Sequence, residues 1–141
     1  MAKSEEETEY IDHPLLENGV VERRMYQLEL SSAGLSESSL IVLPTGAGKT
    51  TVSLLITAAR LNNEDGDAKI LFLAPTKPLV EQHADFYREA LAIPDEKIRV
   101  FTGDVRPDER AAEWEKSKVV IATPQVVEND LIGNRINLND V

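Results

Sequence analysis

The sequence predicts a doubly wound α/β domain, and three observations support this fold class. Four short aliphatic runs occur along the chain, at residues 40–43, 70–74, 98–101 and 119–122. Segments with helical spacing of apolar residues separate these runs, and a glycine-rich segment directly follows the first of them. Apolar strands without alternation, joined by helices, are typical of a parallel sheet with helices on both faces.

The helices are predicted from apolar residues that recur every three or four positions. The first would run from about residue 20 to 33, with Val21, Met25 and Leu28 facing inward and Gly34 ending it. Two later segments, at residues 52–59 and 79–90, each have one apolar face. A short helix would begin at Pro107. A last helix would span residues 124–131, with Gly133 just past its end.

Composition indicates one globular domain with a hydrophobic core. The chain has 141 residues, of which 42% are hydrophobic, and residues 1–12 are acidic and polar enough to form a disordered lead before a domain at 13–141. The absence of cysteine excludes a disulfide frame and a thiolate zinc site. No stretch approaches the ~20 apolar residues that span a bilayer. We therefore expect a cytoplasmic protein without membrane contact.

The charge balance is strongly acidic. The formal net charge is -10, from 25 acidic and 15 basic side chains. Such a surface repels polyanions at low salt. Either the protein avoids nucleic acid, or it is adapted to concentrated salt, where the Debye length falls to ~3 Å at 1 M. The motifs described below favour the second explanation, a halophilic protein.

Residues 43–51 read L-P-T-G-A-G-K-T-T and predict a phosphate-binding P-loop. Glycines let successive N–H groups converge on an anion, and the following helix adds its partial positive end. Lys49 would reach the β- and γ-phosphates, and the Thr50 hydroxyl would bind Mg²⁺. The predicted cradle consists of Pro44, Thr45, Gly46, Ala47, Gly48, Lys49, Thr50 and Thr51. The strict pattern has glycine where Leu43 stands, so a turn that only caps a helix is the alternative.

Polar motifs follow each of the three later runs: Pro75-Thr76-Lys77, Gly103 and Thr123-Pro124. The carboxyl ends of parallel strands share one edge of the sheet, where ligands bind. Hydroxyls, helix N-termini and a lysine at this edge would suit phosphate oxygens. Each motif also has a purely structural explanation, because Gly103 suits a turn and Thr123-Pro124 suits a helix start.

Together with Arg24 and Gln27 upstream, these motifs resemble the first RecA-like domain of superfamily 2 helicases, especially the archaeal Hef and Fanconi anaemia group M helicases. The resemblance extends from about residue 13 to residue 141. It implies a P-loop NTPase that binds ATP and Mg²⁺, with Arg24 and Gln27 among the nucleotide-binding residues and Gln27 reading adenine through its amide. It also implies that residues 75–77, 103 and 123–124 contact the nucleic-acid backbone.

The resemblance implies an ATP-dependent DNA helicase or translocase that acts on branched or stalled-fork DNA in repair. RNA-acting members of the Dicer-like or RIG-I-like kind have a similar loop, so RNA is an alternative substrate. A hypothesis from another class is a non-catalytic module that binds nucleic acid in a nucleotide-dependent way. Expected contacts to phosphates do not distinguish DNA from RNA.

One family feature is absent from the sequence. The relatives carry a D-E-x-H or D-E-x-D box whose aspartate holds magnesium and whose glutamate positions the attacking water. The chain reads N-L-N-D-V at residues 137–141 without such a box, and it contains no second RecA-like lobe. We therefore expect a domain truncated before the Walker B strand, with an open sheet edge and inefficient ATP hydrolysis.

Overall fold

The computed structural model describes residues 8–43, 48–63 and 66–141. Its elements in chain order are α1 (Met25–Ser36), α2 (Lys49–Asn63), β1 (Ile70–Leu73), α3 (Lys77–Ala90), β2 (Ile98–Phe101), α4 (Pro107–Lys116), β3 (Val119–Ala122) and α5 (Pro124–Ile132). A single 3₁₀ turn precedes β2. No helix in the described ranges is both long enough and apolar enough to cross a membrane.

The three strands form a parallel sheet in the order β1-β3-β2. Ala122 in the central strand is in register with Leu73 of β1 and with Phe101 of β2. All three strands therefore end at the same level, and the loops that follow them leave from one edge. The predicted α/β class and the three later strands are confirmed, as is α5 with Gly133 at its end.

Helices cover both faces of the central strand. Val119 and Ile121 lie in a buried cluster with Tyr87 of α3 and residues of α2. Val120 lies in a second cluster with Trp114 of α4 and residues of α5. Because successive strand residues point to opposite faces, these two clusters are the two sides of the sheet. The predicted placement of helices on both faces is correct.

The predicted buried strand at residues 40–43 is wrong. This segment forms no strand in the described structure, and the Leu40 and Val42 side chains are 90% and 79% exposed. An aliphatic run favours an extended conformation, but a strand forms only where a neighbouring strand satisfies its N–H and C=O groups. None of the described strands pairs with this segment.

Helix α1 begins later and ends later than predicted. It starts at Met25 and continues through Gly34 to Ser36. A Cβ at position 34 would lie 2.7 Å from Cδ1 of Ile56, so glycine permits the close approach of α2. The buried side chains of the helix are Gln27 and Ser31, which the apolar periodicity did not predict. Of the predicted stripe, Leu28 is half-buried against the core, Met25 is 60% exposed, and Val21 is buried but precedes the helix.

Residues 9–11 pair with residues 21–23 just before α1. The amide of Ile11 donates to the carbonyl oxygen of Val21 over 2.8 Å. The amide of Arg23 donates to the carbonyl oxygen of Glu9 over 2.7 Å. Val21 is buried in this pairing, outside any helix. The disordered lead predicted for residues 1–12 is therefore too long at its carboxyl end. Residues 1–7 lie outside the described ranges.

A buried ion network joins α4, α5 and the loop after β2. Arg110 donates two hydrogen bonds of 2.7 Å to the carboxylate of Asp130, and Arg135 donates a third of 2.8 Å. Arg110 also donates to the carbonyl oxygen of Val105 in that loop. Burial would raise the pKa of Asp130, but the hydrogen bonds from both arginines outweigh it and hold that pKa below its usual range.

We predict that Asp130→Ala lowers the free energy of unfolding by about 3–5 kcal/mol, because it leaves two guanidinium groups without their buried partner. Asp108→Ala is the matched control, since Asp108 is exposed and pairs with the equally exposed Arg106; it should cost less than about 1 kcal/mol. The contribution of Asp130 to the free energy of unfolding is fully present above a pH of about 4, the pKa of this carboxyl group in the unfolded chain. It is lost as the pH falls through the lower pKa of the folded state. Urea unfolding followed by circular dichroism measures both losses, and equal small losses would contradict this account.

Candidate nucleotide and nucleic-acid sites

The side chain of Gln27 lies against the backbone that begins α2. Gln27 is 3% exposed, and its Nε2 donates to the carbonyl oxygen of Gly48 over 3.5 Å. Gly48 has φ +80°, and a Cβ there would lie 2.2 Å from this Nε2. Glycine is therefore needed both for the backbone conformation and for the approach of the glutamine. Gln27 is therefore a buried residue in contact with the start of α2, and the alternative that it is an ordinary exposed helix residue is wrong.

A small pocket opens beside this contact. Its volume is about 230 Å³, below the roughly 300–1,000 Å³ of pockets that enclose whole ligands, so it suits one part of a ligand such as a base. The residues that line it are Val20, Val21, Glu22, Arg24, Gln27, Gly48, Thr51 and Phe86. Four of these were predicted to bind nucleotide from the sequence. Phe86 of α3 was not, because its helical spacing suggests only core packing.

The first turn of α2 places the predicted phosphate-binding side chains next to the pocket. Lys49 is exposed at the start of the helix, while Thr50 and Thr51 are half-buried. The amide of Val52 is bonded to the carbonyl oxygen of Gly48, so the N–H groups before it have no acceptor within the helix. Such a helix start attracts anions. The remaining cradle residues, Pro44, Thr45, Gly46 and Ala47, lie outside the described ranges.

Helix α3 anchors the first turn of α2. The Ser53 hydroxyl donates to the carbonyl oxygen of Thr50 over 2.7 Å and lies 2.8 Å from the hydroxyl oxygen of Tyr87. Tyr87 is fully buried, and its burial raises the pKa of its hydroxyl, so the group is neutral and serves as a hydrogen-bond partner at neutral pH. These bonds fix the helix start relative to the sheet.

The three motifs after the strands meet at one edge, as predicted. Just beyond the strands, the amide of Ala74 donates to the carbonyl oxygen of Ala122 over 3.0 Å. The amide of Thr123 donates to the carbonyl oxygen of Phe101 over 3.3 Å. The segments 75–77, 102–104 and 123–124 therefore leave neighbouring strand ends. Parallel strands lie about 4.8 Å apart, so these segments span roughly 10 Å.

Each motif offers polar groups at an open surface. Thr76 caps α3 through a long hydrogen bond of 3.5 Å from the amide of Leu79. Thr123 stands at the N-cap of α5, with Pro124 as the first helical residue, but its hydroxyl makes no capping bond. Gly103 is exposed, and a Cβ there would meet no atom within 4 Å. The Thr123 hydroxyl therefore does not cap α5, which was the structural alternative to a role in binding.

Lys77 forms an ion pair with Asp104 across this edge. The hydrogen bond and the charge of Asp104 raise the pKa of the Lys77 ammonium group. The two residues follow different strands, β1 and β2, and are 27 positions apart in the sequence. No sequence pattern predicts this pair, because the strand order that brings the two loops together cannot be derived from either motif alone.

Metal-binding clusters are absent from the described part of the chain, in which no group of three or more His, Asp or Glu side chains could hold an ion. Asp130, the buried acid of α5, is fully engaged by Arg110 and Arg135. Mg²⁺ is commonly held by one or two protein oxygens together with the substrate phosphates, and the Thr50 hydroxyl is an oxygen donor of this kind.

Residues 24–141 match the DEAD/DEAH box helicase family, and the chain belongs to that family. Its fold is correspondingly similar to the helicase domain of Pyrococcus furiosus Hef, with a TM-score of 0.80 and 47% identity over 84% of this chain and 24% of the other. The UvsW helicase of bacteriophage T4 matches with a TM-score of 0.65 and 26% identity, over 82% of this chain and 40% of that one.

Two relatives by sequence carry different substrate names. A Methanocaldococcus jannaschii protein, provisionally named an ATP-dependent RNA helicase, is 44% identical over 93% of this chain. The ATP-dependent DNA helicase mph1 of Sclerotinia sclerotiorum is 40% identical over 81% of this chain. The chain spans only 17% and 9% of the length of these two relatives.

We predict that Gly48→Ala destabilises the fold by about 1–3 kcal/mol, because alanine is strained at positive φ and its Cβ would displace Gln27. Gly66→Ala is the matched control, since an added Cβ there meets no atom within 4 Å and the backbone is unstrained. Chemical denaturation of both variants measures the difference. A Gly48→Ala variant as stable as Gly66→Ala would show that the stability of the fold does not require the contact between Gln27 and Gly48.

Proposed function

We propose that this chain is the ATP-binding portion of an ATP-dependent DNA helicase or translocase. The observation that carries the proposal is the burial of Gln27 against Gly48, beside a base-sized pocket at the start of α2. A helix start alone would attract any anion. A buried amide next to it adds the means to select a base.

In this proposal the pocket holds adenine. The amide of Gln27 donates to N7 and accepts from the N6 amine, a pairing that guanine does not offer. Arg24 lies at the rim, paired with Glu22 at 3.0 Å, where its guanidinium group can pack on the base or sugar. Phe86 supplies an aromatic surface on the opposite helix. The site therefore prefers ATP over GTP.

The phosphates follow the first turn of α2. Lys49 is exposed at the start of the helix, where its ammonium group would bind the β- and γ-phosphates together with the backbone of the predicted cradle. The Thr50 hydroxyl is an oxygen donor of the kind that Mg²⁺ prefers. Magnesium would supply charge neutralisation of the phosphates. In this proposal Lys49 and Thr50 bind and position the triphosphate, which is the larger part of what phosphoryl transfer requires of a protein.

Nucleic acid is proposed to bind at the edge formed by residues 75–77, 103 and 123–124. Exposed hydroxyls, an open glycine and the starts of α3 and α5 suit a phosphate backbone without requiring a broadly basic surface. DNA is favoured because the mph1 relatives are named DNA helicases. The proposed role on branched or stalled-fork DNA in repair is the one that the motif resemblance described in the sequence analysis implies.

RNA is a second candidate substrate, because a relative that is 44% identical over 93% of this chain is provisionally named an RNA helicase. The proposed contacts go to phosphates and do not involve a base edge or a 2′-hydroxyl, so either strand type fits them. Competition between DNA and RNA oligonucleotides of one sequence decides between the two candidates.

We predict that Lys49→Ala weakens the binding of Mg·ATP by about 10- to 100-fold, because a charge-assisted hydrogen bond to the phosphates is lost. Lys116→Ala is the matched control, since it removes an exposed lysine at the far end of α4. Isothermal titration with a non-hydrolysable ATP analogue measures both affinities. An equal affinity of the two variants would contradict the role of Lys49.

A further inference from the structure

The ion pair between Lys77 and Asp104 lies within the proposed nucleic-acid edge. The side chains of Lys77 and Asp104 are 50% and 65% exposed, so solvent reaches the pair. It connects the loop after β1 with the loop after β2, across the end of the central strand. Asp104 therefore holds a carboxylate at the surface where the proposed function requires a phosphate to bind.

We propose that Asp104 sets the affinity for the nucleic-acid strand, because its carboxylate occupies the Lys77 ammonium group until a backbone phosphate displaces it. This inference rests on the proposed function. Carboxylate and phosphate oxygens compete for the same cation, and exposed ion pairs contribute little to stability, so the exchange is easily reversible.

The charges around Lys77 support this competition. Asp104 accepts the hydrogen bond of the ammonium group, and Glu81 lies one turn further along α3, where its charge acts in the same direction. After a strand binds, the displaced carboxylate stays close to the bound phosphate and repels it. The edge would thus hold a strand weakly and with a shallow salt dependence. A protein that moves along a strand must release each phosphate in turn, which weak contacts allow.

The test measures the affinity for a fluorescein-labelled oligodeoxythymidylate by anisotropy over a series of KCl concentrations. Asp104→Asn should bind about 5-fold more tightly at low salt, and its salt slope should steepen by up to about 0.7, the contribution of one additional phosphate contact on a single strand. Asp85→Asn is the matched control, because Asp85 is an exposed acid on α3 that pairs loosely with Arg88 at 4.0 Å. It changes the net charge equally.

A double-mutant cycle separates competition from general electrostatics. In a Lys77→Ala background, Asp104→Asn should have no larger effect than Asp85→Asn. The inference would be overturned if Asp104→Asn raised the affinity as much in the Lys77→Ala protein as in the unmodified protein. It would also be overturned if Asp104→Asn and Asp85→Asn changed the affinity of the unmodified protein equally. Failure of all the folded proteins to bind, with folding checked by circular dichroism, would overturn the proposed nucleic-acid function and this inference with it.

Discussion

The contact between the Gln27 side chain and the Gly48 backbone is the interaction on which the candidate nucleotide site depends. It joins two helices that are separate in sequence, and it is possible only because position 48 has neither a side chain nor a negative φ. The amide that we propose to select adenine, the start of α2 and Lys49 are thereby held side by side. Without this contact, the start of α2 would be an unspecific anion site.

The parallel register has the same importance for the second candidate site. Because β1, β3 and β2 end at one level, three loops distant in sequence form a continuous edge. Asp130 is fully buried and accepts hydrogen bonds from Arg110 and Arg135. Because Arg110 also donates to the loop after β2, this network joins α5 to the edge. Hydroxyls and helix starts would let an acidic domain hold a polyanion locally, where the net charge alone would favour repulsion.

Local sequence was sufficient for some elements and insufficient for others. The strand β3 has the predicted bounds because its aliphatic run meets neighbours on both sides, and α5 follows from Pro124 and Gly133. The run at residues 40–43 has a similar composition but lacks a described partner strand, and pairing is a tertiary property. The pocket residues Arg24 and Gln27 could be identified from motif likeness. The place of Phe86 in the pocket and the pairing of Asp104 with Lys77 could not be predicted, since they depend on how α3 and β2 are placed.

If one nucleotide binds at the contact between Gln27 and the start of α2, nuclear magnetic resonance of the ¹⁵N-labelled chain will locate it during titration with magnesium and a non-hydrolysable ATP analogue. The largest chemical-shift changes should occur at the Gln27 side-chain amide and at the backbone amides of Gly48, Lys49 and Thr50. Shifts confined to other parts of the chain, with these four signals unchanged at saturation, would contradict it.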